Sequence, residues 1–168
     1  MPDSPREIGA WGGSDPHSAD ISRGEALDIL LVEDSEDDAA FFTHTLKDSN
    51  PDAQVGIARD GVQALSLIFG AENPDEAVPV IRPRLIVLDL KLPKVSGLEV
   101  LRRLKTNPHT RTIPVVVLSS SKEGRGHVEC YQLGVNSYLV KPMDFDEFAE
   151  LARMLGRYWL QFNQPLKL

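Results

Sequence analysis

Five polar residues follow short apolar segments of the sequence, and together they have the chemistry of a phosphoryl-transfer site. Two adjacent acids, Glu33 and Asp34, follow the segment LDILLV, and a third acid, Asp89, follows LIVL. A hydroxyl group, Ser119, follows IPVVVL, and an ammonium group, Lys141, follows SYLV. Three carboxylates at short range repel one another unless a cation bridges them, and oxygen ligands suit Mg²⁺. A hydroxyl and an ammonium beside them would bind the remaining oxygens of a phosphoryl group.

Each of these residues also has an ordinary structural interpretation when it is taken alone. An Asp after a strand commonly forms a turn or caps a helix. The run Ser119-Ser120-Ser121 would cap a following helix, and Lys141 would be a solvated surface charge. The chemical hypothesis therefore depends on a fold that brings the positions together.

The segments around these residues alternate between strand and helix patterns. Apolar runs of strand length are followed by segments in which apolar residues recur at helical spacing. Ser35-x-x-Asp38 is typical of a capping box at the start of a helix. The predicted strands are LDILLV, Ala53–Ala58, Leu85–Asp89, Pro114–Leu118 and Ser137–Val140, and the predicted helices begin near Ser35, Asp60, Ser96, Lys122 and Asp144.

Five strands that alternate with five helices predict a doubly wound α/β fold with a parallel sheet. Right-handed crossovers place the carboxyl ends of all parallel strands at one edge of the sheet, where ligand sites of such folds lie. That edge is where the five polar residues fall. The fold prediction therefore brings the acids, the hydroxyl and the ammonium together.

The chain divides into a domain flanked by two tails. Residues 1–26 contain 11 Pro, Gly and Ser residues without periodicity, which predicts a flexible N-terminal tail. We expect the domain to span residues 27–160 and a C-terminal tail to span 161–168. The connection from Gly70 to Pro83 is unusually long, and such loops are commonly functional or disordered.

Composition excludes several classes of partner. A net charge of −7 argues against a nucleic-acid partner, because phosphate backbones are bound by clustered Lys and Arg. The apolar runs are too short to span a membrane, and no signal peptide is visible at the start. Cys130 is the only cysteine, so no internal disulfide can form, and we expect a cytoplasmic protein. The residues after Leu160 are too few for a DNA-binding module.

Four motifs in order resemble the response-regulator receiver domain of two-component signalling. They are ILLVEDSEDD, LIVLDLKLPKVSGLEVL, IPVVVLSSS and YLVKPMDFDEF, and the resemblance covers roughly residues 27 to 160. It implies the flavodoxin-like or CheY-like version of the α/β fold, with five helices and strand order 2-1-3-4-5. It also implies a sensor histidine kinase as the partner that donates the phosphoryl group.

The resemblance assigns a role to each site residue. It implies that Asp89 is the phosphoacceptor and that the Lys141–Pro142 peptide bond is cis. The remaining roles that it implies are Mg²⁺ binding by Glu33, Asp34, Asp89 and the backbone carbonyl of Lys91, a conserved hydroxyl at Ser119, a switch aromatic at Tyr138 and a phosphoryl-binding ammonium at Lys141. Ser120 departs from the family, which usually has Ala or Gly at that position.

Two features of the sequence resemble receivers that serve phytochrome-type photoreceptor kinases. They are the long Gly70–Pro83 loop and the ending YWLQF. The ending carries more aromatic side chains than one packed helix face needs, and exposed aromatic patches often mark interfaces. We therefore predict a homodimer whose contact includes Tyr158, Trp159 and Phe162.

Two other functions on related folds fit the sequence less well. A Mg²⁺-dependent phosphohydrolase of the haloacid-dehalogenase type also uses an aspartyl nucleophile at a strand end. It needs a second Asp two residues later, where this chain has Lys91. A flavin mononucleotide carrier would need an uncharged phosphate loop after the first strand, and the acidic run from Glu33 to Asp38 would repel a phosphate.

Overall fold

The computed structural model describes residues 27–70, 80–120 and 125–166, and in these ranges it contains five strands, five α-helices and a short π-helical segment. The predicted N-terminal tail and residues 71–79 of the long connection lie outside the described residues. In chain order the elements are β1 (Ile29–Val32), α1 (Glu36–Ser49), β2 (Val55–Ala58), α2 (Gly61–Phe69), β3 (Leu85–Leu88), α3 (Gly97–Thr106), β4 (Val115–Ser119), α4 (Arg125–Gln132), β5 (Ser137–Val140), α5 (Phe145–Gly156) and the π segment (Arg157–Phe162).

The five strands form one parallel sheet in the order β2-β1-β3-β4-β5. The register pairs Val32 at the end of β1 with Ala58 of β2 and Leu88 of β3. The fold class and strand order predicted from the sequence are therefore confirmed. Because β1 and β3 are neighbours at the centre of the sheet, the residues that follow them emerge side by side.

Both faces of the sheet are covered, which explains the continuous apolar runs of the central strands. Every residue of β1, β3 and β4 is buried. The side chains of α2, α3 and α4 pack on one face, and those of α1 and α5 pack on the other. None of the described helices is both long enough and apolar enough to cross a membrane.

Side-chain caps fix the start of α1, α2, α3 and α5 at the positions that the sequence predicts. Asp60 accepts a hydrogen bond from the backbone N–H of Gln63, and Asp144 accepts from two backbone N–H groups of α5. Ser35 accepts from the backbone N–H of Asp38. The predicted capping box is only half formed, however, because the Asp38 carboxylate bonds to Lys141.

The π segment after α5 packs partly into the core. Trp159 and Leu160 lie against the core between the sheet, α1 and α5, and the Arg84 guanidinium donates hydrogen bonds to both of their backbone carbonyls. Tyr158 and Phe162 remain 55% and 61% exposed. The aromatic excess predicted at this end is therefore divided between core and surface.

Candidate functional site

The carboxyl edge of the sheet brings together the residues singled out by the sequence. Glu33 follows β1, Asp89 follows β3, Ser119 is the last residue of β4, and Lys141 follows β5. Backbone hydrogen bonds connect these positions across the strand ends. The N–H of Asp89 donates to Val32 at 3.0 Å, and the N–H of Lys141 donates to the carbonyl of Ser119 at 2.8 Å.

Three carboxylates converge at this edge. One oxygen each of Glu33, Asp34 and Asp89 lies within 4.8 Å of the others. Glu33 and Asp89 are buried, whereas Asp34 is exposed. A donor set made only of oxygens, open to water on the Asp34 side, fits a hard divalent cation that retains water ligands.

Burial dominates the electrostatics of the two inner acids. It raises the pKa of Glu33 and the pKa of Asp89, although hydrogen bonds and the Lys141 charge act in the opposite direction. The negative charge of Asp34 adds to the raised pKa of Asp89. The cluster therefore holds its negative charge at a cost that a bound cation would relieve.

Lys141 lies deep in the site and contacts three carboxylates. Its Nζ atom is 2.6 Å from Glu33 Oε2, 2.9 Å from Asp38 Oδ2 and 3.9 Å from Asp89 Oδ2. Burial lowers the pKa of Lys141, but the hydrogen bonds to Glu33 and Asp38 outweigh it, so that the pKa is raised. The ammonium is thus charged, and it is hydrogen-bonded to the acids on the β1–α1 side rather than to Asp89.

The Lys141–Pro142 peptide bond is trans, since no described peptide bond is cis. The cis bond implied by the resemblance is therefore not found in this structure. The trans isomer of an X-Pro bond is favoured by about 0.5–1 kcal/mol unless tertiary contacts select the other. In this conformation Lys141 already reaches Glu33 and Asp38.

The loop after β3 fixes the Asp89 side chain. Asp89 Oδ1 accepts a hydrogen bond from the backbone N–H of Lys91 at 3.0 Å. Gly97 lies against this loop, and a Cβ atom at Gly97 would lie 2.0 Å from the backbone oxygen of Asp89. Only glycine allows this approach of α3 to the Asp89 loop.

The unusual Ser120 takes part in a contact at the mouth of the site. Lys91 Nζ donates a hydrogen bond to Ser120 Oγ at 3.3 Å, which joins the loop after β3 to the end of β4. Ser119 itself is buried. The two neighbouring serines therefore have different environments, one inside the sheet and one at the surface.

Tyr138 lies in β5, paired with Val117 of β4. Its side chain is half-buried, and the ring of His127 from α4 lies 4.4 Å from its ring. The His127 ring also meets Tyr131 of the same helix at 5.3 Å. Tyr138 is therefore covered by α4 and is not part of the carboxylate cluster.

Sequence reasoning did not identify three residues that shape this site. Asp38 was interpreted as a capping residue, and Gly97 and His127 received no role. A glycine at the first position of α3 was a usable signal for close packing. The contacts of Asp38 with Lys141 and of His127 with Tyr138 had no local signal, because each joins two different elements of the fold.

Comparison with known proteins gives the family. Residues 29–153 match the response regulator receiver domain. Response regulator Rcp1 of Synechocystis sp. is 38% identical over 133 residues, which are 79% of this chain and 88% of that protein. The crystal structure of the Mn²⁺-bound form of Rcp1 superposes with a TM-score of 0.74 at 37% identity, covering 84% of this chain and 99% of that one.

A second solved structure is similar over the same region. It is the phosphorylated cyanobacterial phytochrome response regulator RcpA, with a TM-score of 0.74 at 30% identity over 85% of this chain and 100% of that one. Neither the family match nor these structures favour the phosphohydrolase alternative. The chain belongs to the response regulator receiver domain family.

Proposed function

We propose that Asp89 accepts a phosphoryl group from the phosphohistidine of a sensor histidine kinase, and that the chain signals by the resulting conformational change. The observation that carries this proposal is the position of Asp89. It ends the central strand within 4.8 Å of two further carboxylates and 3.9 Å from the Lys141 ammonium. This is an arrangement of a nucleophile with flanking positive charge that phosphoryl transfer needs.

The transfer step uses the carboxylate of Asp89 as the nucleophile. One carboxylate oxygen forms a bond to phosphorus while the P–N bond to the kinase imidazole breaks, and the electron pair of that bond returns to the imidazole nitrogen. Lys141 neutralises negative charge on the phosphoryl oxygens. Reversal is hydrolysis of the acyl phosphate by water, so the protein itself limits the lifetime of its signal.

We propose Mg²⁺ as the cation of this site. Glu33, Asp34, Asp89 and the backbone carbonyl of Lys91 would hold it, and when bound it would supply charge neutralisation for the phosphoryl group. Support comes from the oxygen-only cluster and from the Mn²⁺-bound form of the relative Rcp1. Octahedral oxygen coordination with retained waters is what Mg²⁺ prefers.

The output involves the side of the sheet that carries β4, α4 and β5. We propose that Ser119 donates a hydrogen bond to the phosphoryl group and that Tyr138 then packs inward behind it. His127 lies on Tyr138 at 4.4 Å, so a movement of Tyr138 would be transmitted to α4. Such a change is a population shift between two states of one small domain.

We further propose that the kinase is a phytochrome-type photoreceptor. The support is similarity to proteins of that kind, among them the phytochrome response regulator RcpA.

The buried free thiol of Cys130 suits a reducing, cytoplasmic location.

Substitution of the acceptor tests the proposed function. Asp89→Asn should abolish labelling by acetyl phosphate or by a phosphorylated kinase, because the amide oxygen is a poor nucleophile. Asp37→Asn is the matched control, since Asp37 is exposed on α1 and its loss should leave labelling unchanged. A stable label that persists on folded Asp89→Asn protein would refute the assignment.

A further inference from the structure

Asp38 contributes a carboxylate to the site, although its position in the sequence predicts a helix-capping role instead. It is the third residue of α1, where a capping box would direct its side chain to the backbone N–H of Ser35. Glu33 occupies that N–H, because Glu33 Oε1 accepts from Ser35 at 3.0 Å. The Asp38 side chain is therefore released from the cap and reaches Lys141 Nζ at 2.9 Å.

The ammonium of Lys141 is consequently drawn away from the acceptor. Glu33 and Asp38 lie at hydrogen-bonding distance from Nζ, whereas Asp89 at 3.9 Å does not. The Lys141 side chain is 13% exposed, and that of Asp38 is 37% exposed. Asp38 is thus the outermost of these partners and the one that water can most readily replace.

We propose that Asp38 is a positioning residue that restrains Lys141 in the unphosphorylated protein and must release it when Asp89 carries a phosphoryl group. This inference rests on the proposed function of Asp89 and Lys141. An ammonium has three donors, and two of them are directed to Glu33 and Asp38. These two bonds hold Nζ 3.9 Å from Asp89 Oδ2. Movement of Nζ toward a phosphoryl oxygen on Asp89 would lengthen them, and the bond to the more exposed partner, Asp38, is the one that water can replace.

The restraint predicts a direction for the phosphorylated state. Without the Asp38 charge, Lys141 could move toward Asp89 without breaking the ion pair with Asp38, and only the contact with Glu33 would oppose the movement. Asp38→Asn should therefore bind the phosphoryl mimic beryllofluoride about two- to fivefold more tightly at saturating Mg²⁺, as expected for loss of one partly exposed ion pair. Asp38→Glu keeps the charge and should remain close to wild type.

The experiment combines beryllofluoride titration with NMR of the Lys141 ammonium in the same proteins. In the metal-free and fluoride-free state, the ¹⁵N-edited Lys141 Nζ signal should shift in Asp38→Asn and should stay in place in the control Asp37→Asn. Asp37 is exposed on the same helix turn and carries the same charge. It is not among the three ion-pair partners of Lys141.

Each outcome decides the proposal. Tighter beryllofluoride binding and a shifted Nζ signal in Asp38→Asn alone would support the restraint. Equal effects of Asp37→Asn would show a general charge effect and would overturn the restraint. Unchanged or weaker beryllofluoride binding by Asp38→Asn would also overturn it. A wild-type protein that binds no beryllofluoride would refute the proposed function and the restraint with it, which distinguishes the two failures.

Discussion

At the scale of single residues, the site is a compromise between burial and charge. Glu33 and Asp89 are buried acids whose pKa values are raised, and one ammonium, that of Lys141, serves both of them and Asp38. Three carboxylates lie within 3.9 Å of the single positive charge of Lys141, so their negative charge is only partly neutralised. We therefore expect metal-free protein to be destabilised by its own site, and this expectation has a definite dependence on pH.

The stability of the metal-free protein should depend on pH through its two buried acids. An acid with a raised pKa in the folded state binds more protons there than in the unfolded state, between the ordinary and the raised pKa. The free energy of unfolding of the metal-free protein should therefore contain a contribution from Glu33 and Asp89 that falls as pH rises through that window. Mg²⁺ should offset it, so that the rise in melting temperature caused by Mg²⁺ is larger at neutral than at mildly acidic pH.

Thermal denaturation with and without Mg²⁺ checks this prediction. Asp34→Ala should lose most of the Mg²⁺ response, because it removes the exposed carboxylate of the cluster. Asp52→Ala is a control, since Asp52 is exposed beyond the end of α1, away from the site. An undiminished Mg²⁺ response in Asp34→Ala would show that the cation binds elsewhere.

At the scale of the elements, α4 is the helix most suited to change. It is short, Arg125–Gln132, and it contains Gly126, which weakens a helix by about 1 kcal/mol relative to Ala. The predicted start at Lys122 and the second glycine, Gly124, lie outside the described residues. His127 connects this helix to Tyr138, so we expect the stability of α4 to affect the position of Tyr138, the proposed switch aromatic.

Gly126→Ala should stabilise α4 and weaken the response to a phosphoryl mimic. Among the described residues, a Cβ atom there would meet only Leu90 Cδ1 at 3.9 Å, an ordinary contact. Amide exchange across α4 should slow by roughly fivefold, the equivalent of about 1 kcal/mol. The change in exchange caused by beryllofluoride in α4 and β5 should shrink accordingly.

Gly134 offers a matched control for the same chemical change. It follows α4 with a φ of +90°, a conformation that an L side chain rarely adopts, so that Gly134→Ala should speed exchange rather than slow it. Equal effects of both substitutions, or a mimic response confined to helices far from α4, would contradict the proposed role of this helix.

At the scale of the whole molecule, Asp89 and the aromatic residues of the π segment lie at opposite edges of the sheet, at the carboxyl and amino ends of the strands. Asp89 follows the carboxyl end of β3, whereas Arg84, which binds the π segment, immediately precedes β3. Helix α5 begins three residues after Lys141 at the cap Asp144 and leads into the π segment. It is the element that joins the two regions.

The predicted homodimer belongs to this scale. Tyr158 and Phe162 are exposed and available for a contact, whereas Trp159 packs on the core and would contribute mainly by holding the π segment. Phe162→Ala should therefore raise the dimer dissociation constant about tenfold, a loss common for truncated interface aromatics. Sedimentation equilibrium measures it directly.

Val62→Ala is the control for this measurement. Val62 is a 44% exposed apolar residue on α2, on the other face of the sheet from α5, and its truncation should leave the association unchanged. A wild-type protein that stays monomeric at tens of micromolar, with or without phosphorylation, would rule out the dimer.

The sequence by itself determined the architecture and the membership of the carboxylate cluster. Strands that are buried on both faces are recognisable in the sequence as continuous apolar runs, and helix starts are marked by capping residues such as Ser35 and Asp60. Parallel connections then force all strand ends to one edge. Glu33, Asp34 and Asp89 were therefore predictable as neighbours from local patterns and handedness alone.

Only the tertiary structure decided which partner each side chain takes. Asp38 binds Lys141 across 103 positions of sequence, the Lys141–Pro142 bond is trans, and Trp159 turns inward while Phe162 stays exposed. Small differences in distance decide which of several nearby partners a side chain contacts, and local sequence patterns do not specify these differences. Sequence periodicity fixes the face and the edge on which a residue lies, but the choice between two nearby partners is made by packing.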